Sequence, residues 1–323
     1  MPCWQKKLAE GFASAHDLLL FLQLPPSLAH GDAEHPFKTR VPRGFVDRMR
    51  PRDPDDPLLK QVLAVQEELQ WVDDFVTDPL DEIPATAVPG LLHKYQSRVL
   101  LTLTGACAVH CRYCFRRHFP YQENTLGRPG RQQILDYIAN DPNIHEVILS
   151  GGDPLLVKNS ILAELVLQLA DIAHVHTIRI HTRVPVVLPE RVDDGLLEIL
   201  STTRLHRVVV LHSNHPQEWN DAVGEGCVAL RQAGCHVLNQ SVLLAGVNDS
   251  ATVLAALSER LWSYGVLPYY LHVLDKVQGA HHFDVPIERA LTIFQELQAL
   301  LPGYLVPRLA REEAGKAHKT LLV

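Results

Sequence analysis

The stretch Arg98-Val99-Leu100-Leu101-Thr102-Leu103-Thr104-Gly105-Ala106-Cys107-Ala108-Val109-His110-Cys111-Arg112-Tyr113-Cys114-Phe115 puts three cysteines on one short loop, directly behind an apolar run. The run reads as a β-strand, and the thiols that follow form a C-x3-C-x2-C triplet. Structural zinc usually takes four protein ligands, and so does an ordinary four-iron cluster. Three cysteines around a [4Fe-4S] cube leave one iron without a protein ligand, open to a small molecule. Two blander readings share the spacing. His118 stands four residues beyond Cys114 and would complete a Cys3His zinc site, and free cysteines are often just buried core residues.

Outward from this loop, β-rich and helical segments alternate. Strands are expected at 98–104, 145–150, 176–182, 206–212, 236–243 and 267–273, with helical stretches near 130–140, 158–173, 189–201, 216–233 and 250–264. The strand interval is about 30 residues, as a βαβ unit requires. With right-handed crossovers this gives an α/β fold with a parallel sheet, either doubly wound or curved into a partial (β/α)6 barrel. Polar groups recur at the strand ends: the Cys loop, Ser150-Gly151-Gly152-Asp153-Pro154, Arg183, His212-Ser213-Asn214-His215, Asn239-Gln240, and His272 with Asp275. Such ends form the active face of parallel α/β folds, so six of them feeding one face favour the barrel.

The remaining chain divides by composition. Residues 1–95 are Pro- and Asp-rich and read as a mainly helical or irregular extension, with amphipathic stretches at Asp17 to Leu22 and Leu58 to Leu69. Arg50 to Pro57 holds three prolines and reads as an extended or turning connection. Residues 96–290 form the barrel and 291–323 a C-terminal helix and tail. The 323 residues carry 46% hydrophobic side chains and a net charge of −7. That balance gives no general affinity for nucleic acid or acidic membranes. No apolar segment reaches membrane-spanning length and the start does not read as a signal peptide. Cys3, Cys227 and Cys235 are scattered without a disulfide framework, so a reducing cytoplasm is expected.

The Cys triplet and Ser150-Gly151-Gly152-Asp153 together resemble the radical S-adenosylmethionine (SAM) superfamily. The resemblance implies that Cys107, Cys111 and Cys114 hold a [4Fe-4S] cluster whose open iron chelates SAM. It implies further that the glycine-rich stretch meets SAM's amino group; read alone, that stretch is a tight turn with Asp153 as an N-cap. A narrower resemblance, to the lysine 2,3-aminomutase family, runs from about Val41 to Lys319. It rests on Leu91-Leu92-His93-Lys94-Tyr95-Gln96-Ser97-Arg98, Cys111-Arg112-Tyr113-Cys114-Phe115-Arg116-Arg117, His212-Ser213-Asn214-His215-Pro216, Leu238 to Asp249 and Pro268-Tyr269-Tyr270.

That family also binds pyridoxal 5′-phosphate (PLP) through a lysine, which corresponds here to Lys319; Lys316 is a rival in Gly315-Lys316-Ala317-His318-Lys319-Thr320. Read without the family, Lys319 is a solvated tail residue, and such a terminus is expected to order only around PLP. Arg98 matches a ligand of the PLP phosphate, and Lys94 stands where longer members have a second arginine, without its bidentate fork. Arg116 matches the residue that pairs with the substrate carboxylate. Asp275 matches one of two acids that grip the distal ammonium, and Glu312 stands at the position of the second. His212 and Gln240 fall at cofactor-pocket positions, or serve as satisfied core polar groups.

Longer members carry a C-terminal extension with zinc-binding cysteines. Here the sequence ends at Val323 and Ser250 stands at another zinc-ligand position, so the structural zinc is expected to be absent. The short form resembles the bacterial branch that converts (S)-α-lysine to (R)-β-lysine for attachment to translation elongation factor P by a lysyl-tRNA-synthetase-like ligase. Lysine, that ligase and factor, and a one-electron donor of flavodoxin or ferredoxin type are therefore the expected partners. A mutase for another amino acid such as glutamate, or for free lysine in catabolism, is the alternative.

Overall fold

Ten strands make one sheet in the computed structural model, which describes residues 3–121 and 128–323. They are β1 (Thr86–Val88), β2 (Leu91–Tyr95), β3 (Arg98–Thr104), β4 (Glu146–Gly151), β5 (Thr177–Thr182), β6 (His206–His212), β7 (Cys235–Val242), β8 (Leu267–His272), β9 (Arg308–Arg311) and β10 (Thr320–Leu321). The sheet runs β1 to β10 in sequence order. From β3 to β9 every pairing is parallel, while β1–β2–β3 and β9–β10 are antiparallel.

The six expected strands fall where the pattern put them, within about a residue. Outer helices follow them at Arg128–Asn140, Asn159–Ala170, Asp194–Thr202, Asp221–Gln232, Ala251–Ser263 and Ile287–Leu300. The third and fourth start later than expected. Pro189 and Pro216 open short 3-10 turns instead, and Asp193 and Asn220 then cap the helices by accepting from Leu196 N (2.8 Å) and Val223 N (3.1 Å). Side-chain oxygens at this position satisfy the unpaired amides of a first turn.

Alternate residues of a strand face one side of a sheet. Ile148 and Ser150 of β4, Leu238 and Gln240 of β7, and Tyr270 and His272 of β8 accordingly line a single cavity. That shared lining means the sheet curves around it, as in a partial barrel. The two ends of the curved sheet meet through Tyr95 on β2, whose hydroxyl donates to Glu312 Oε1 behind β9 at 3.1 Å.

The N-terminal region packs into the same core. Trp4, Leu18, Leu19, Phe45, Leu58 and Leu59 are buried in one hydrophobic cluster with Val147, Ile178 and Leu211 of the strands. The expected boundary near residue 95 lies inside the β2–β3 hairpin. Leu58 to Leu69 is not one helical stretch. It breaks into a turn at Pro57–Lys60, capped by Asp56, and a 3-10 turn at Gln66–Leu69. Tertiary bonds decide this: Gln61 reaches Glu218 (3.2 Å) and Glu68 reaches Arg112 (2.6 and 2.8 Å), each far away in sequence. The tail has an anchor that the sequence did not reveal, since β10 pairs with β9 and Leu322 N donates to Leu309 O (3.0 Å). Among the described residues, no helix is long and apolar enough to cross a membrane.

Candidate active site

The cavity inside the curved sheet measures about 1270 Å³. Cys107, Cys111 and Cys114 all line it from the loop behind β3. Burial, together with the neighbouring cysteines, pushes the Cys107 thiol well up and that of Cys114 up to about 11. The protons must therefore leave as iron binds. His118 faces the carbonyl of Gln278 (3.2 Å) instead. Among the described residues, no three Cys, His, Asp or Glu side chains are grouped tightly enough for a single metal ion. The three thiols line one cavity and act electrostatically on one another, as ligands shared by one four-iron cluster would.

The loop is held from behind by residues of the N-terminal region. Arg112, fully buried, donates from Nε and Nη2 to Glu68 and from Nη2 to Ala33 O (3.0 Å). Arg117 Nη2 joins it on Glu68 Oε2 at 2.6 Å. On the other side the loop rests on the glycine turn after β4. Gly151 takes φ +113°, and Gly152 N donates to Thr104 O at 2.7 Å. A Cβ on Gly152 would run into the Ala106 carbonyl, so only glycine lets the two loops meet.

Asp153 behaves as the bland reading expected, as a turn residue, and does more. Its carboxylate accepts from Leu155 N (3.1 Å), Thr182 Oγ1 (2.7 Å), Arg183 N (2.8 Å) and Val184 N (3.2 Å), tying the end of β4 to that of β5. Burial drives its pKa up to about 6, against the pull of these bonds. Ser150 Oγ accepts from Arg116 (2.9 Å), and the Gly151 carbonyl accepts from the Tyr121 hydroxyl (2.9 Å).

The acids and the tail lysine belong to the same lining. Lys319 lines the cavity with its ammonium on Glu312 and 5.9 Å from the Tyr270 ring centre, whereas Lys316 is exposed. Burial and then the charge of Glu312 raise Asp275 to about 7. Burial acts upward on Glu312 as well, but the Lys319 ammonium, Lys94 and Tyr95 outweigh it and bring Glu312 to about 2. The two acids are thus unequal: one ionised, one close to half-ionised at neutral pH.

The cationic residues divide. Arg98 lines the cavity, its guanidinium 4.2 Å from the Tyr95 ring centre. Lys94 is not part of the lining; its ammonium goes to Leu80 O (2.9 Å) and lies 3.6 Å from Glu82. Arg116 is buried against Glu82. Glu82 was not singled out in the sequence, because an acid in a Pro- and Asp-rich stretch carries no signal of its own. Arg179 and His181, also missed, line the cavity and keep Nε and Nε2 buried without a hydrogen-bond partner among the described residues, although Arg179 Nη2 pairs with Glu146. Such orphans mark a place where a ligand completes the hydrogen bonding. With Arg98 and Lys319 they fit an anionic cofactor with a carbonyl to capture. Gln240 lines the cavity, and His212 meets the Tyr113 hydroxyl at 2.8 Å, its pKa far down through burial and the Arg183 charge.

Comparison with known proteins identifies the family. The model of the radical SAM superfamily matches residues 101–256. The L-lysine 2,3-aminomutase of Escherichia coli is 48% identical over 99% of this chain and 94% of its own length. That of Haemophilus influenzae is 50% identical over 88% of this chain and 84% of its own. The enzyme of Clostridium subterminale is 34% identical over 98% of this chain and 77% of its own. The chain therefore belongs to the lysine 2,3-aminomutase family of radical SAM proteins, isomerases that work with a [4Fe-4S] cluster, SAM and PLP.

Proposed function

We infer that this isomerase moves the α-amino group of (S)-lysine to the β-carbon, giving (R)-β-lysine, and that the product serves the modification of translation elongation factor P. The observation that carries the substrate reading is one cavity with an acidic pair, Asp275 and Glu312, beside Lys319, and a guanidinium, Arg116, elsewhere in its wall. A molecule with a carboxylate at one end and an ammonium at the other matches those charges, and glutamate does not. The part concerning elongation factor P is supported by the likeness to the short bacterial branch.

In this reading Cys107, Cys111 and Cys114 hold the cluster, and the Ser150–Asp153 turn, His212 and Gln240 face SAM. Lys319 anchors PLP, and Arg98 meets its phosphate; Lys94 serves by neutralising Glu82. Arg116 takes the substrate carboxylate, and Asp275 and Glu312 take the distal ammonium. When bound, the cofactors supply a radical initiator and a carrier for the migrating amino group. The chain holds the reacting atoms close and excludes water. Asp275 gives up its proton as the substrate ammonium arrives, because a charge partner offsets its burial.

The test is anaerobic reconstitution with iron, sulfide and PLP, followed by dithionite, SAM and L-lysine, with β-lysine and its chirality read by mass spectrometry after chiral derivatisation. Release of 5′-deoxyadenosine without β-lysine would sink the choice of substrate. Adding the factor and its ligase should give a mass gain on the factor that depends on this enzyme. Equal modification without the enzyme would sink that link.

A further inference from the structure

Arg183, just beyond β5, is buried, and its guanidinium makes contacts that the reading above does not use. Nη1 donates to Cys111 Sγ at 2.8 Å and to the Tyr113 hydroxyl at 2.7 Å. Nη2 donates to Gln61 Oε1 at 2.7 Å and reaches Glu218 Oε2 at 3.2 Å. The surrounding groups are fixed in turn. Asn214 Nδ2 donates to both Gln61 Oε1 (3.0 Å) and the Tyr113 oxygen (2.7 Å). Glu218 Oε1 is taken by the amides of Asn214 (2.9 Å) and His215 (3.1 Å) and by Gln61 Nε2 (3.2 Å). A guanidinium held at four points keeps one N–H on a cysteine sulfur.

We propose that Arg183 is a positioning residue for the iron–sulfur cluster: its charged N–H bond to the sulfur of Cys111 raises the cluster's midpoint potential and so eases uptake of the electron the reaction requires. The proposal rests on Cys107, Cys111 and Cys114 holding the cluster. The step is a one-electron reduction, [4Fe-4S]2+ to [4Fe-4S]1+, by a low-potential one-electron donor. No bond forms or breaks, and no proton moves. The added electron increases the negative charge on the cluster and its thiolates, and a cation at hydrogen-bond distance favours that form. Hydrogen bonds to cluster sulfurs are among the levers by which a protein sets such potentials. Glu218 opposes the effect, but it touches the far nitrogen of the guanidinium, and three further donors share its other oxygen. Coulomb energy falls with distance, so the nearer cation prevails.

The experiment is a redox titration of the reconstituted full-length protein with dithionite, followed by electron paramagnetic resonance, without SAM or lysine. Four proteins are compared: the parent, Arg183→Gln, Arg183→Lys and Glu218→Gln. Arg183→Gln should lower the reduced-to-oxidised ratio at fixed potential at least tenfold, a fall of about 59 mV or more for a one-electron couple. Arg183→Lys, which keeps the charge, should fall less, and Glu218→Gln should rise. A role confined to packing would move none of these potentials in that order. An Arg183→Gln midpoint equal to the parent's, or equal falls for Gln and Lys, overturns the proposal and leaves the cluster assignment standing. If Arg183→Gln assembles no cluster, Glu218→Gln decides: an upward shift supports the proposal, and no shift or a fall overturns it. A parent that assembles no four-iron cluster removes the cluster reading and the proposal together.

Discussion

Glu82 grips Arg116 with two parallel bonds, Nε to Oε2 at 2.6 Å and Nη2 to Oε1 at 2.8 Å, and both side chains are buried. Arg116 Nη1 meanwhile rests on Ser150 Oγ. Nη1 also reaches Gly151 O at 3.4 Å, so in the proposed reading the substrate carboxylate meets a guanidinium whose side fork is already occupied by a resident carboxylate. Breaking a buried pair leaves an uncompensated charge, typically a loss of about 3–5 kcal/mol. Glu82→Gln should therefore lower unfolding stability by roughly that amount in anaerobic urea denaturation. It should also raise KM for lysine more than it lowers kcat, since Arg116 loses its orientation. Unchanged stability and KM would count against the pair's importance.

Lys319 lines the cavity and Lys316 is exposed. Lys319→Ala should abolish β-lysine formation and the covalent trapping of PLP by borohydride, detected by peptide mass spectrometry. Lys316→Ala should retain both. Trapping at Lys316 in the parent protein would reverse the assignment.

Asp275 is raised from 3.8 to about 7 by burial and the Glu312 charge. The folded chain holds this proton more tightly than the unfolded chain does, so stability falls as pH rises from about 4 through 7. Glu312, lowered from 4.5 to about 2, acts oppositely: its contribution is complete above 4.5 and is lost as pH falls toward 2. Between pH 4.5 and 7 Asp275 alone of the two sets the sign. Urea midpoints over that window should decline more steeply in the parent than in Asp275→Asn. By the same linkage KM for lysine should fall as pH rises through 7, and Asp275→Asn should flatten that profile.

Gly152 touches the backbone of the Cys loop at Ala106, and Asp153 N donates to Ala106 O at 2.8 Å. A methyl group there must push the loop away. Gly152→Ala should bind less iron per chain after reconstitution, with a visible loss of cluster absorbance, while far-ultraviolet circular dichroism stays close to the parent's. Full iron content would show that the loop yields at little cost.

The sequence alone carried the repeating strand–helix pattern, because period-two and helical apolar spacings are local properties of the chain. It carried the Cys triplet for the same reason: three thiols within eight residues must share a loop wherever that loop folds. It also pointed to Lys319, Arg98, Arg116, Asp275 and Glu312, through a likeness to a family rather than through any local pattern.

Tertiary structure decided what these groups meet. Glu68 on Arg112, Glu82 on Arg116, and Gln61 and Glu218 on Arg183 join positions 34 to 122 residues apart, and no spacing rule spans such intervals. It removed Lys94 from the cavity lining, placed Lys319 there instead of Lys316, and broke the expected helical stretch from Leu58 to Leu69. In the last case long-range hydrogen bonds and burial outweighed local propensity. The chemistry-bearing residues were legible where their neighbours lie close in sequence, and hidden where the fold supplies the partner.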